Sequence, residues 1–376
     1  MSMFNRTALL RFADATIGSW LCWILGAVNH MTRGDTPTAP VATDKVKRIL
    51  IIRPGGMGDM IILLPVIRLL KEKYPGSAID IVCEKRNAGV LNLAGMAEQA
   101  LIYDINPLGF LFHLRSRGYD VAVDTEQFHH FSAVFALLSK APVRIGFKIN
   151  PKRNPLYTHL INYAPDGPEG EQFMRLIEPL GVTNTCYDIE DALPALKTEM
   201  TPDTREQVAR ASGSGGFAAM HTGSASRLKL WAPENYIKLA GRLQQERQLG
   251  VVLVGGRDEK RVNAGIAEGA GNKAVSLAGG LDLEATAAVI KQARVFIGPD
   301  SGLAHLAVAL GVPTVVLFGP SDHLKWGIED HSHAVVRSDL PCAPCFIFGY
   351  HKPCRNIACM KQISAEAVSE AVGKVM

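Results

Sequence analysis

The hydrophobic positions of this chain alternate between short unbroken runs and longer stretches of helical spacing. Residues 48–53 (RILIIR) hold four consecutive apolar side chains between two arginines, as a strand buried on both faces requires. Residues 60–73 then carry apolar positions at helical spacing and stop at Tyr74-Pro75-Gly76, a combination that ends helices. Residues 78–83, 100–103, 120–124 and 143–146 read as further strands, with helical segments at 108–117 and 132–140. Residues 150–205 are more polar and hold several prolines. A domain boundary is expected at residues 201–216, where Pro202 and the run Ser212-Gly213-Ser214-Gly215-Gly216 sit.

The alternation then restarts. Strands are expected at 217–221, 250–254, 274–277, 294–297 and 314–318. Helices are expected at 233–247, opened by Pro233, at 258–268, at 283–293 behind the N-cap Asp282, and at 302–310. A last helix, 364–374, is expected to cross back onto the first domain. Strand–helix alternation of this kind specifies parallel α/β architecture. The expectation is two Rossmann-like domains, 46–205 and 206–376, with strand C-termini from both facing a cleft.

The segment before them, 1–45, differs in character. Residues 15–28 (ATIGSWLCWILGAV) carry no charge, hold two tryptophans and follow Arg6 and Arg11. The run is short and broken by Gly and Ser for a membrane-crossing helix, and no small-x-small cleavage site follows it. It reads as a helix lying on a membrane surface with Trp20 and Trp23 at headgroup level, or equally as one packed on the protein's own surface or on a second subunit. Residues 33–44 read as a linker.

With 376 residues the chain is long enough for two ordinary domains, and 47% hydrophobic residues can fill two cores. The net charge of +4 is mild, and no Lys/Arg run interleaves with aromatics, so nucleic acid is not an expected partner. Seven cysteines in so long a chain do not make a disulfide scaffold, and a reducing cytoplasm is expected.

Three strand-to-helix turns carry candidate chemistry. In Arg53-Pro54-Gly55-Gly56-Met57-Gly58-Asp59, glycines let a ligand approach the backbone at a helix start, where Gly56 and Gly58 would meet it. A dinucleotide fingerprint would also want Glu84 on a ribose, but its third glycine position is Ile61, and Asp59 would repel a pyrophosphate. Asp59 is either an N-cap or a general base held at the positive end of the helix. In Gly298-Pro299-Asp300-Ser301-Gly302-Leu303-Ala304-His305, the N–H groups opening a helix suit a diphosphate. Asp300 can cap the helix or hold a sugar hydroxyl, and His305 lies one turn from Ser301, as a ligand contact or as an ordinary core histidine. The loop from His221 to Trp231 carries Thr222, Ser224, Arg227 and Lys229, which can meet phosphate oxygens or be simply solvated. Glu259, behind Gly255-Gly256, could bind a nucleotide hydroxyl or only favour a helix start.

Together the runs GGMGDMIILLPVIRLLKEKYP, the loop ending KLW, and PDSGLAHLAVALGVPTVVLFGPS resemble glycosyltransferase family 9, the ADP-heptose:lipopolysaccharide heptosyltransferases. The resemblance spans residues 46–376. It implies the two-domain glycosyltransferase B fold and an inverting, metal-independent transfer from a nucleotide sugar, ADP-heptose by preference, to a lipid-linked glycan acceptor. It implies Asp59 as catalytic base, Lys229 on the diphosphate, Glu259 at the nucleoside, and Asp300, Ser301, Gly302, Leu303 and His305 as the donor motif. Such an enzyme would work in the cytoplasm, peripheral on the inner membrane face. Ala225 departs from the hydroxyl residue common in that loop, and Gly55 and Gly56 replace serines of some members. A sugar-nucleotide epimerase, a nicotinamide oxidoreductase and a non-catalytic partner of the same fold are the competing readings.

Cys342-x-x-Cys345, with Cys354 and Cys359, resembles the start of a structural zinc knuckle, though the second pair is more widely spaced than usual. Four reduced thiols and two disulfides are the alternatives. The resemblance assigns these residues no catalytic task.

Overall fold

The computed structural model describes residues 12–33, 46–183, 186–193, 199–347, 350–351 and 354–376. Arg6, Arg11 and the linker beyond Arg33 lie outside the described residues. The chain divides into two compact units, Met1–Tyr187 and Asp188–Met376.

The first unit is built on six parallel strands, β1 (Arg48–Ile52), β2 (Ala78–Cys83), β3 (Gln99–Ile102), β4 (Val121–Asp124), β5 (Val143–Phe147) and β6 (His159–Ile161). Their order is β3-β2-β1-β4-β5-β6. Ile49, Leu50, Ile51 and Ile52 of the central strand are fully buried, which accounts for its continuous apolar run. The expected helix after it runs Met57–Lys73. The short edge strand β6 was not expected, because its residues are half-buried or exposed and its apolar run is short.

A buried charge ties the polar stretch after β5 to the sheet. Arg153 and Asp124, both 0% exposed, pair at 2.9 Å. Tyr157 donates its hydroxyl to the same carboxylate at 2.5 Å, and Arg153 also donates to the Glu126 carbonyl at 2.7 Å.

The N-terminal helix, Ser19–Arg33, continues from a π turn at Asp14–Gly18. One face packs on the first unit. The Asp14 carboxylate accepts the N–H groups of His130 (3.0 Å) and Phe131 (2.8 Å) and so caps the helix His130–Leu138. Lys152 donates to Ser19 and Asn29 to the Pro155 carbonyl. The protein's own surface therefore receives the helix on that face. The other face shows Ile17, Trp20, Trp23, Ile24 and Val28 to solvent. No helix among the described residues is long and apolar enough to cross a membrane.

The second unit repeats the plan with β7 (Phe217–His221), β8 (Gly250–Val254), β9 (Ala274–Ser276), β10 (Val295–Pro299), β11 (Thr314–Phe318) and β12 (His333–Arg337), all parallel. Their order is β12-β11-β10-β7-β8-β9. The stretch 201–216 lies within this unit, as the helix Pro202–Ala211 capped by Thr201 and a turn into β7. Strand β12 was not expected; its residues are mostly half-buried.

The last helix, Ala365–Val375, corrects an expectation. Rather than reaching back to the first domain, its apolar face (Val368, Ala371, Val372, Val375) joins the second unit's core with Leu239, Leu243 and Val315. Trp231 fixes its approach by donating to the Ile363 carbonyl at 2.9 Å. The same four valine and alanine positions that signal an amphipathic helix thus find their partner nearby in the fold.

Removing one member of a fully buried ion pair strands the other, at a cost of about 3–5 kcal/mol. Arg153→Ala is expected to lower the stability of the first unit by that order in urea denaturation. An unchanged midpoint would contradict the role given to the Arg153–Asp124 pair.

Candidate functional site

In each sheet the chain first builds outward on one side of its opening strand and then returns to the other. The reversal falls between β1 and β4 in the first unit and between β7 and β10 in the second. At such switch points the loops after adjacent strands diverge and leave a crevice at the strand C-termini. The candidate residues sit at these two points.

In the first unit, β1 runs into Arg53-Pro54-Gly55-Gly56. Gly55 has φ +123°, which an L side chain rarely adopts. Gly56 is the N-cap residue of the helix Met57–Lys73, and Gly58 and Asp59 lie in its first turn. The Asp59 carboxylate accepts the Gly56 N–H at 3.0 Å and pairs with Arg53 at 2.9 Å, with its side chain 25% exposed. Asp59 therefore does act as a capping residue, and it also presents part of its carboxylate outward. Two bonds fix its orientation while lone pairs remain for a proton.

Arg53 is buried and shared. It reaches Glu126 at 3.4 Å, donates to the Thr125 carbonyl at 2.9 Å and lies 5.0 Å over the Phe173 ring. Burial opposes its charge, but Asp59 and Glu126 hold the guanidinium protonated. Glu126, just beyond β4, bonds the His129 ring at 2.7 Å. Burial pushes the Glu126 carboxyl up, yet His129 and Arg53 outweigh it and bring it down to about 2. Burial opposes charge on His129 as well, and Glu126 raises its pKa above the usual value. Gln127 donates to Glu169, which also accepts the Tyr163 hydroxyl at 2.7 Å. Sequence reasoning missed Glu126, His129 and Glu169. The one available signal was position: Asp124-Thr125-Glu126-Gln127 follows a central strand directly. Glu84 is buried and bonds Arg86 (2.6 Å) and Tyr103 (3.0 Å).

In the second unit, the turn after β7 carries Lys229 and the turn after β10 carries Asp300. Lys229 Nζ meets Asp300 Oδ2 at 2.5 Å, and His305 Nε2 lies 3.8 Å from Asp300 Oδ1. Burial would raise the Asp300 carboxyl, but Lys229 and His305 hold it below the ordinary range. Ser224 donates to the Asp300 carbonyl at 3.5 Å. Ser301 is the N-cap residue of the helix Gly302–Ala309, yet its hydroxyl meets His221 Nδ1 at 3.1 Å and accepts nothing from the helix. The first N–H groups of that helix, from Gly302 and Leu303, are thereby left for an anion. Burial alone lowers the His221 pKa to about 4, so the ring bonding Ser301 is neutral near pH 7.

Glu259 accepts the Gly256 N–H at 2.7 Å beside β8. A Cβ on Gly223 would come within 2.5 Å of its carboxylate oxygen, so glycine is what lets the two loops meet. Thr222 is buried and bonds Asn263 at 2.5 Å, which places its hydroxyl inside the fold. Lys229, Ser224, Asp300, Ser301 and His305 are thus brought into one network, with Glu259 on the neighbouring strand. Gly56 and Gly58 belong to the first unit with Asp59.

Cys342, Cys345, Cys354 and Cys359 line one small cavity of about 160 Å3 in the second unit. None is in a disulfide. Among the described residues, the group of metal-ligand atoms gathered within 4.8 Å is a different one, Glu190, Asp330 and His333. There Glu190 bonds His333 at 2.5 Å and Asp330 accepts the Ser332 and His333 N–H groups, so these residues already pin the turn Glu190–Ala192 to the start of β12.

Two doubly wound sheets, one with a fixed carboxylate and the other with a lysine and an uncapped helix start at its switch point, define a nucleotide-sugar type of glycosyltransferase. The chain belongs to glycosyltransferase family 9 (heptosyltransferase), whose model matches residues 110–355. It is 28% identical to lipopolysaccharide heptosyltransferase 1 of Pseudomonas aeruginosa over 313 residues, 79% of this chain and 86% of that one. Its fold is similar to that of E. coli ADP-heptose lps heptosyltransferase II, with TM-score 0.67 and 21% identity over 87% of this chain and 98% of that one. It is also similar to E. coli heptosyltransferase WaaC with ADP-2-deoxy-2-fluoro heptose, with TM-score 0.66 and 20% identity over 88% of this chain and all (100%) of that one.

The Glu126–His129 pair fixes a pH dependence. His129 is raised above its ordinary 6.5, so its contribution to stability is complete below that pH and is lost as pH rises through the raised value. Glu126 is depressed from 4.5 to about 2, so its contribution is present above 4.5 and is lost as pH falls toward 2. The stability difference between wild type and Glu126→Gln is expected to peak between those limits and shrink on both sides in denaturation series across pH. By NMR, His129 should titrate lower in the variant than in wild type. A flat difference with an unmoved His129 would refute the coupling.

Proposed function

We propose that this enzyme transfers a heptose, or a closely related sugar, from a nucleoside diphosphate donor to a lipopolysaccharide core or related glycan acceptor. ADP-heptose is the favoured donor. The observation that carries the reading is the Lys229–Asp300–His305 network set at the uncapped start of the helix Gly302–Ala309. The names of the relatives, lipopolysaccharide heptosyltransferases, support the substrate class.

The chemistry is a single displacement with inversion. Asp59, oriented by Arg53 and the Gly56 N–H, takes the proton of an acceptor hydroxyl. The oxygen attacks the anomeric carbon from the face opposite the diphosphate. The bond to the diphosphate breaks, and its electron pair leaves with the phosphate oxygen. Lys229 and the N–H groups of Gly302 and Leu303 supply positive charge where negative charge develops, the task a metal ion would otherwise perform. Asp300 keeps Lys229 aimed before the donor arrives, and His305 supports Asp300. Glu259 takes a nucleoside hydroxyl.

We further propose that the exposed face of the N-terminal helix rests on the cytoplasmic surface of the membrane that holds the acceptor. Trp20 and Trp23, 67% and 63% exposed, suit the headgroup layer. A second copy of the chain is the alternative cover.

Donor preference is tested by calorimetry with ADP-, GDP- and UDP-sugars, where ADP-sugars should bind tightest. Asp59→Ala is expected to lose about 100- to 10,000-fold in turnover while still binding donor. Lys229→Ala should instead weaken donor binding. Near wild-type turnover in the first variant, or unchanged donor affinity in the second, would overturn the assigned role.

Flotation with anionic vesicles tests the membrane surface. The wild-type chain should float with the vesicles, and the Trp20→Ala/Trp23→Ala variant should remain behind. Wild-type protein that stays unbound would end this reading, and a dimer lost in the double variant would favour the second copy.

A further inference from the structure

The segment from Cys342 to Cys359 has no part in the proposed transfer chemistry, yet its four cysteines line one cavity of about 160 Å3. The rest of the wall is uncharged, including Leu228, Pro320 and Asn356, so thiols are its strongest metal-binding groups. A space of this volume is several water molecules in size, far below that of a nucleotide.

The backbone around the sulfurs is organised. Cys345 and Phe346 both donate their N–H groups to the Pro320 carbonyl at 2.8 Å, which fastens the Cys342-x-x-Cys345 turn beyond the end of β11. Cys354 Sγ accepts the Ile357 N–H at 3.3 Å. Ile357 does so from φ +42°, a conformation that a β-branched residue rarely takes and that persists only where surrounding contacts impose it. Cys359 is buried at the start of the short helix Ala358–Lys361, beside the core residue Met360. An N–H aimed at sulfur, a strained residue that aims it, and three further thiols on the same cavity are what a metal-thiolate knuckle needs.

We propose that Cys342, Cys345, Cys354 and Cys359 bind one thiophilic divalent metal ion, zinc or ferrous iron, in a four-sulfur structural site. Among the described residues no three of these sulfurs lie within 4.8 Å of one another, so the site is open as described. Metal–sulfur bonds of about 2.3 Å draw the exposed Cys342 and Cys354 inward toward Cys359. Each ligand thiol passes its proton to solvent as its sulfur–metal bond forms. The ion stays divalent, so no oxidant or reductant is consumed.

The position gives the site a purpose. Leu228 in the cavity wall precedes Lys229, and Lys229 Nζ lies 4.8 Å over the ring of Phe346, which follows Cys345. A closed metal knuckle braces the turn that carries the lysine.

The full chain, purified without chelator, should contain about one zinc or iron per molecule by elemental analysis. After metal removal under reducing conditions, cobalt titration should give thiolate-to-cobalt absorption saturating at about one equivalent. Cys342→Ser and Cys354→Ser, both at exposed positions, should weaken cobalt binding by at least about tenfold. Cys186→Ser, at an exposed cysteine elsewhere, should leave it unchanged. Reduced protein that holds no metal and shows no cobalt–thiolate absorption would overturn the proposal. So would a mass lower by four hydrogens in protein isolated without reductant, which would mark two disulfides.

Discussion

The site of the second unit depends on a lysine that is aimed by a carboxylate before any ligand arrives. Lys229 is only 14% exposed on its side chain, and its ammonium rests on Asp300. A buried pair of this kind gains little net stability, because both ions leave water to form it. Its value here is positional. Asp300 holds the cation at the switch point between β7 and β10, and Lys229 and His305 keep the Asp300 carboxyl below the ordinary range in turn. On the proposed reading, a diphosphate entering there meets a cation already held in place. The neutral His221 completes the arrangement by engaging Ser301, so that the N-cap side chain does not compete for the N–H groups of its own helix.

The first unit solves the converse problem, holding an anion, with the same components in reverse. Arg53 is the buried cation, and Asp59 and Glu126 are the carboxylates it orients. Glu126 is inaccessible and committed to His129, whereas Asp59 retains exposure. That division leaves Asp59 as the carboxylate that a substrate can reach, as the proposed base must be, and Glu126 as the one that holds the arginine. Both arrangements follow from the doubly wound topology, which supplies a crevice after the opening strand of each sheet.

Much of this was legible in the sequence because the signals are local. Strands buried on both faces, such as Ile49–Ile52 and Val251–Val254, appear as unbroken apolar runs, and Asp59, Lys229 and Asp300 each stand at a fixed offset from such a run. Strands β6 and β12 lie at sheet edges with few buried positions, and their apolar runs, Leu160-Ile161 and Ala334-Val335-Val336, are short. The pairs Arg53–Glu126 and Arg153–Asp124 join residues far apart in the chain, and no spacing rule connects them. The last helix shows the limit clearly. Its amphipathic pattern predicts that it packs, but the surface that receives it is chosen by Trp231 and the flank of the helix Pro233–Arg247, which only the fold reveals.

The N-terminal helix carries two demands at once, and the residue pattern separates them. Its inner face is fastened by polar bonds: Asp14 on two backbone N–H groups, Ser19 under Lys152, and Asn29 on the Pro155 carbonyl. On the same side Cys22 is fully buried in the first unit's core, with Leu21 and Leu25 packed against it. A helix needed only as a local cover would therefore carry polar residues outward, since exposed tryptophan adds nothing to such a seat. Instead the outer face bears Ile17, Trp20, Trp23, Ile24 and Val28, with the two indole rings in edge contact at 6.1 Å. Apolar area of that kind, held at one side of the first unit, is what the proposed membrane contact would cover.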